Sequence, residues 1–325
     1  GLLQFSDPEI KSADLAGLLL DCAEWGTNDP ASLKWLDAPP DGLIKAARQD
    51  LSAVGALDEA GRITPIGRRL RALTLPPRLA RMLLASVEKG AHVRAGLIAA
   101  VLVERGIGGN DPDLTVRLEA FARDRSRRAE DLRRLAGSWA KTAAQGASPV
   151  PDDGTTVAGL LALAFPDRIA KSRGTGGQFL LANGRAGTID TAAAISRAPF
   201  IVVAELQGKA GATRILLAAP STEDEIATIA RDRIDTRDEV MFDAPSLSVR
   251  VRSIRKLGAI TLESRARAIA PGEDVSAVLG RGIASAGVAK LPWSNPQQQL
   301  RARVDFLRHA GGEWPDLSAE ALARE

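Results

Sequence analysis

The sequence predicts a multidomain α+β chain, helical first and strand-rich later, and three observations carry that prediction. Apolar residues recur at helical spacing through roughly the first half of the chain, and period-two strands occupy residues 178–262. Between most of the helices and the strands lies a polar, proline-containing connector, Ala147-Ser-Pro-Val-Pro-Asp-Asp-Gly154. At 325 residues and 45% hydrophobic content, the chain has material for about two to four domains with real cores.

Ser12 offers an N-cap for a first helix that runs to Gly26, a residue type that commonly ends helices. Residues 37–40 start a second helix, whose Leu43, Ala47, Leu51 and Val54 repeat at helical spacing up to Gly55. Ala56-Leu57, the turn Asp58-Glu-Ala-Gly61 and Arg62-Ile-Thr64 read as a short hairpin. Helix, helix and small hairpin is a winged-helix pattern, expected over 8–75 in a first domain of 1–75. Residues 76–145 are helical, with breaks at Gly90, at 106–112 and near Ser126, and form a bundle domain of 76–150.

The third domain, 151–270, opens with a helix over 156–165. Strands follow at 178–183, 199–206, 213–219, 240–242, 247–254 and 259–262. A helix over 222–232, with Glu223, Asp224 and Glu225 in its favourable first turn, interrupts them. Five or six short strands closing on themselves predict an OB-like β-barrel. Residues 271–325 read as helix and loop, and no internal repeat is present.

Composition narrows the chemistry. The single cysteine, Cys22, excludes an intramolecular disulfide framework and thiolate metal sites, as suits a reducing cytosol. It falls on the stripe Leu15, Leu18, Leu19, Cys22, Trp25 and reads as a core residue. His92 and His309 are isolated, which argues against a histidine metal site or catalytic triad. No apolar run approaches the about 20 residues that cross a bilayer, and the N-terminal segment has no basic-then-apolar signal pattern. A soluble cytoplasmic protein without a membrane partner is the expectation.

A phosphate-binding loop needs Gly-x4-Gly-Lys-Ser/Thr, because backbone N–H groups cradle the phosphates and the hydroxyl holds magnesium. Gly208-Lys-Ala210 lacks the first glycine and the hydroxyl; Gly280-Arg-Gly282 has Ser285 where a dinucleotide fingerprint needs glycine. Both read as turns. Asp58-Glu-Ala-Gly61 lies between two hairpin arms and is a turn as well. No catalytic residue and no metal ligand set is expected, and no cofactor in this chain.

What remains is arginine. Lys plus Arg number 43 against 40 acids, so the net charge of +3 is small and local clustering carries the signal. Arg62, Arg68, Arg69, Arg71, Arg78 and Arg81 follow one another with no acid between Glu59 and Glu88. Such a cationic face suits a phosphate backbone. A second run, from Arg123 to Arg134, is interleaved with Asp124, Glu130 and Asp131, and reads as a solvated face at least as readily as a binding one. In Val249-Arg250-Val251-Arg252, alternation sets both valines on one face and both arginines on the other, and Arg255 and Lys256 follow. Arg168, Lys171 and Arg173 precede the first expected strand, beside the loop Gly174-Thr-Gly-Gly177. Basic strands beside flexible loops are how OB-folds track single strands. The candidate nucleic-acid-binding residues are therefore Arg168, Lys171, Arg173, Arg250, Arg252, Arg255 and Lys256 on the barrel, with Arg68 and Arg69 on the winged helix. The barrel is expected to dominate.

The same segments carry a resemblance. Asp7-Pro-Glu-Ile10, Trp25-Gly26, Trp35-Leu-Asp-Ala-Pro-Pro40, Gly61-Arg-Ile-Thr-Pro65 and Pro77-Arg-Leu-Ala80 follow one another as in DEAH-box helicases. Phe165-Pro-Asp-Arg-Ile-Ala170, Leu180-Leu-Ala-Asn-Gly184, Leu291-Pro-Trp293 and Trp314-Pro-Asp-Leu317 resemble the bacterial HrpB branch of that family. The likeness spans essentially the whole chain, and the two RecA-like motor domains that define the family are absent from it. The resemblance implies a C-terminal accessory region: a winged helix, a "ratchet" bundle, a barrel, and the start of an HrpB-type C-terminal region. It implies single-stranded RNA or DNA and the motor domains of the same polypeptide as partners, with ATP and magnesium serving the full-length protein. Some arginines of the 62–81 run would then face the motor. A free-standing winged-helix regulator with a β-barrel sensor domain is the alternative, and a hydrolase a weaker third.

Overall fold

A computed structural model describes residues 8–323, except 28, 175 and 209–212. The chain divides into two compact units, Gly1–Asp232 and Arg233–Glu325.

The first unit begins with α1 (Ala16–Glu24), which buries Leu19, Leu20, Cys22 and Ala23. The residue meeting its first turn is Asp14, whose carboxylate accepts from the Ala16 N–H at 2.9 Å. Ser12 instead ends a short 3-10 turn at Glu9–Lys11. Trp25 leaves the apolar stripe and is 85% exposed, because the helix has ended before it and Gly26 turns the chain at φ +85°. Helix α2 (Asp41–Ala53) buries Ile44, Ala47 and Leu51 as its spacing predicts. Leu57 and Ile63 form an antiparallel bridge, and Asp58 holds the turn between them by accepting from the N–H groups of Ala60 and Arg62. Thr64 then caps α3 (Pro65–Ala72).

Four helices follow: α4 (Pro77–Val87), α5 (His92–Val103), α6 (Leu114–Arg123) and α7 (Arg127–Ala143). Their breaks fall where glycine, proline and Ser126 put them. Helices α5 and α7 pack so closely that a Cβ on Gly96 would stand 2.7 Å from the Ala136 carbonyl oxygen. The polar connector before residue 156 is held down: Lys89 pairs with Asp153 at 3.5 Å, and Arg94 bonds both Asp152 and the Thr155 carbonyl. It is therefore a strap on the bundle. Helix α8 (Val157–Ala164) is apolar around its whole circumference and correspondingly buried.

The barrel closes through β1 (Ile169–Ser172), β2 (Gln178–Leu181), β3 (Ala186–Thr188), β4 (Phe200–Gln207) and β5 (Arg214–Ser221). The strand order is β1-β2-β3-β5-β4, with β3 and β5 parallel and the other pairs antiparallel. Its interior is filled by Ala170, Phe179, Leu181, Ile201, Val203, Ile215 and Ala218. The short strands β1 and β3 had no sequence signal of their own, since one ends in Lys171-Ser172 and the other is Ala-Gly-Thr. The Pro112 carbonyl accepts from the Ala218 N–H at 2.9 Å, which docks the α5–α6 loop on β5. Helix α9 (Glu223–Ile229), capped by Thr222, ends the unit.

The second unit corrects the expected barrel. Strands β6 (Ile234–Asp243), β7 (Ser248–Leu257) and β8 (Ile260–Arg267) form a separate antiparallel sheet. Five strands already close the barrel. Segments that place Arg237, Asp238 and Glu239 in succession on opposite faces could not fill a closed apolar interior. Helix α10 (Ser276–Ala286) packs on this sheet, with the Phe242 ring against the backbone of Gly282. Gly280 and Gly282 are thus helical, in place of the expected turn; Lys209 and Ala210 of the other glycine motif lie outside the described residues. Helices α11 (Asn295–His309) and α12 (Ala319–Leu322) follow. Among the described residues no helix is long and apolar enough to cross a membrane.

Two substitutions test this packing. Gly96→Ala should destabilise by about 1–3 kcal/mol, since the added methyl must push α5 away from α7. Thr74, the residue between α3 and α4, sits at φ +51°, a conformation costly for a β-branched side chain. Thr74→Gly should therefore raise stability by up to about 1 kcal/mol in denaturant melts.

Candidate nucleic-acid interface

The structure sorts the arginines by what they already bond. Arg68 pairs with Glu24 at 3.2 Å and Arg71 with Asp21 at 2.6 Å, so α3 is clamped to the acids of α1. Arg62 pairs with Asp58, and Arg69 donates to the Ala143 carbonyl at the end of α7. The acid-free run therefore finds its acids in the preceding helix and turn, which a scan along the chain does not reveal. In the second run, Arg128 bonds Glu104, Arg134 bonds Asp131, and Arg133 donates to the carbonyls of Phe121 and Asp124 that end α6.

Arg78 has the densest environment. Its guanidinium donates to Asp50 of α2 at 2.6 Å and to Asp167 at 2.7 Å, with its side chain 19% exposed. Arg168 lies 4.5 Å from the centre of the Phe165 ring, with Arg78 at 5.8 Å from the same ring. Arg168 also donates to the Ala204 carbonyl of β4 at 2.8 Å. Burial opposes the charge on Arg78, but hydrogen bonds to Asp50 and Asp167 outweigh it and raise its pKa. Burial likewise works against the Asp167 carboxylate, and Arg78 still holds it below the ordinary aspartate value. Arg168 is pushed down, first by burial and then by the neighbouring Arg78 charge. Arg168 thus braces β4 against the Phe165 ring.

The remaining candidates separate into two groups that the structure does not bring onto one sheet. Arg250, Arg252, Arg255 and Lys256 all lie on β7 of the second unit. Arg250 and Arg252 point away from Val251, which is 1% exposed, as alternation predicts. Arg250 pairs with Asp243 at 2.8 Å, Arg255 with Glu263 at 3.6 Å and Lys256 with Glu239 at 3.8 Å; Arg252 is exposed and stands opposite Glu239 in the ladder. Elsewhere on the sheet, Arg267 binds Asp238 and Glu273, and holds the Glu273 carboxyl down to about 2.

On the barrel, Lys171 lies over the Phe200 ring at 5.6 Å and Arg173 is exposed. Pairing then defines a row: the Arg173 N–H donates to Gln178, Gln178 pairs with Thr188, and Thr188 pairs with Arg214. The Gly177 N–H donates to the Ser196 carbonyl, which brings Arg197 to the same end. Arg173, Arg197 and Arg214 are all exposed, and none has a carboxylate partner among the described residues. Asp190, at this end too, accepts from the Ala192 N–H. Arg173 sits in the β1–β2 loop and Arg214 directly follows the β4–β5 loop, the two loops with which OB-folds hold oligonucleotides. Sequence reading missed Arg197 and Arg214. Arg214 had a signal, since alternation along 213–219 turns it outward, whereas Arg197 is placed by a non-local turn.

No Gly-x4-Gly-Lys-Ser/Thr motif occurs in the sequence, and among the described residues no group of three or more His, Cys, Asp or Glu side chains is placed to hold a metal ion.

No family model matches the chain. Among curated proteins it is 34% identical to the ATP-dependent RNA helicase HrpB of Escherichia coli K12, over 98% of this chain and 38% of the relative. It is 36% identical over 95 residues to the pre-mRNA-splicing factor ATP-dependent RNA helicase prp22 of Schizosaccharomyces pombe, 29% of this chain and 8% of that protein. Among solved structures, the crystal structure of the E. coli DExH-box NTPase HrpB matches with TM-score 0.69 and 30% identity, covering 98% of this chain and 39% of that one. A second, of the E. coli DEAH/RHA helicase HrpB, matches with TM-score 0.66 and 28% identity. In fold and in sequence the chain is therefore similar to a segment of DEAH-type helicases. The particular likeness is to HrpB: the chain is HrpB-like nearly end to end and spans about two fifths of its relative's length.

The Arg78 cluster yields a pH prediction. Asp167 is ionised more readily folded than unfolded, so its stabilisation is full above the ordinary aspartate pKa of about 3.9 and fades as pH falls through the lowered folded value. Acid titration of thermal stability should therefore be shallower below about pH 4 for Asp167→Asn than for the native chain. Parallel curves would contradict it.

Proposed function

We propose that this chain is the accessory region of an ATP-dependent RNA helicase, lining part of the single-strand channel and coupling it to motor domains elsewhere in the polypeptide. On this reading α1–α3 with their small bridge are the winged helix, α4–α7 the ratchet-like bundle, and β1–β5 the OB-like barrel. The motor domains would supply the ATP and magnesium chemistry, and the compartment would be the cytoplasm. The observation that carries the reading is the near end-to-end likeness to HrpB, joined to a barrel end where Arg173, Arg197 and Arg214 stand exposed and unpaired among the described residues. Unpaired, exposed arginines release counterions on meeting phosphates without first breaking an internal bond. The arginines of α3 and most of the cations of β7 already have protein partners, so they rank below the barrel end.

Anisotropy on a fluorescent single-stranded oligonucleotide tests this. Three phosphate contacts imply a salt slope of roughly −2 for the native chain. Arg173→Glu/Arg214→Glu should flatten the slope by about 1.4, two contacts' worth, and weaken binding at low salt, while Arg250→Glu/Arg252→Glu changes it less. Unchanged binding in the barrel pair would contradict the placement, and strong preference for one duplex sequence would favour a winged-helix regulator. The chain alone should show no nucleic-acid-stimulated ATP hydrolysis.

A further inference from the structure

Two sequence motifs 89 residues apart meet at one point: Arg78 of Pro77-Arg-Leu-Ala80 bonds Asp167 of Phe165-Pro-Asp-Arg168. The same guanidinium bonds Asp50 of α2 at 2.6 Å. One cation therefore joins three parts of the compact first unit: α1–α3 through Asp50, the bundle through its own helix α4, and the barrel through Asp167. The covalent path from the first module to the bundle is the segment after α3, and there Thr74 holds φ +51°. A β-branched residue resists this conformation, so the joint is under strain in the observed arrangement. Asp14, Asp50 and Glu205 line the same cavity as Arg78 and Arg168, so without the Arg78 charge three lining acids would face Arg168 alone. Arg78 Nε is itself buried with no partner, a cost that the two ion pairs offset.

From this we infer that Arg78 is a latch across a strained joint: while its two ion pairs stand, the α1–α3 module is held against the barrel, and when they break the module swings about Thr74. The latch is a property of the first unit alone and does not depend on the nucleic-acid reading. It differs from ordinary packing in one respect. Packing that fails lowers stability, whereas a latch that fails changes a distance in a protein that is still folded.

The test is a distance distribution between nitroxides at Glu59→Cys and Ala192→Cys, both exposed, in a chain whose sole cysteine is replaced (Cys22→Ala). The native chain should give one narrow distribution. Arg78→Gln should add a second, longer-distance population with helical circular dichroism retained, and Asp50→Ala, which cuts only the arm to the first module, should do the same. Arg94→Gln removes an arginine that pins the strap in the same unit, and should lower thermal stability without altering the distribution. If Arg78→Gln does not fold, Asp50→Ala carries the test. A single native-like distribution in folded Asp50→Ala and Arg78→Gln would overturn the latch, as would an equal broadening in Arg94→Gln.

Discussion

A single guanidinium satisfies carboxylates that the chain supplies from α2 and from the turn before β1, and the arrangement of the first unit depends on that sharing. Arg78 is held at 2.6 and 2.7 Å by two acids whose positions in sequence differ by more than a hundred residues. For Asp167, burial disfavours the charged form and the Arg78 guanidinium more than offsets that cost. Phe165 offers its ring to Arg78 and Arg168, so the helix–barrel junction is built on cations stacked against one aromatic residue. A second, independent tie, the hydrogen bond from the Ala218 N–H to the Pro112 carbonyl, docks the bundle on β5.

Much of the helical architecture was legible because its signals are local. Glycine at 90, the glycine-rich stretch 106–112 and Ser126 punctuate the bundle where the structure breaks it. Alternation in 249–252 set the arginines of β7 on the correct face. What escaped depends on partners distant in sequence. The strands β1 and β3 are four and three residues long, and only their neighbours in the barrel make them strands. The long charged hairpins of 234–267 look like barrel strands one at a time, but they carry charges on both faces and so form their own sheet.

Charge was read least well, for a physical reason. A run without acids looks like a free cationic surface, yet Glu24, Asp21 and Asp50 answer Arg68, Arg71 and Arg78 from other helices. Arg168, expected at the interface, bonds the Ala204 carbonyl and lies over the Phe165 ring. Of the expected barrel cations Arg173 keeps its exposure, and Arg197 and Arg214 join it through loop closures that spacing alone does not encode.

On the proposed function, a single strand passes over the barrel end marked by Arg173, Arg197 and Arg214. Photo-crosslinking of the chain to a 4-thiouridine single-stranded RNA, followed by peptide mass spectrometry, tests it most directly. Adducts concentrated in residues 173–178, 188–197 and 214–216 are expected. Adducts confined to α3 or β7, with none on the barrel, would contradict it.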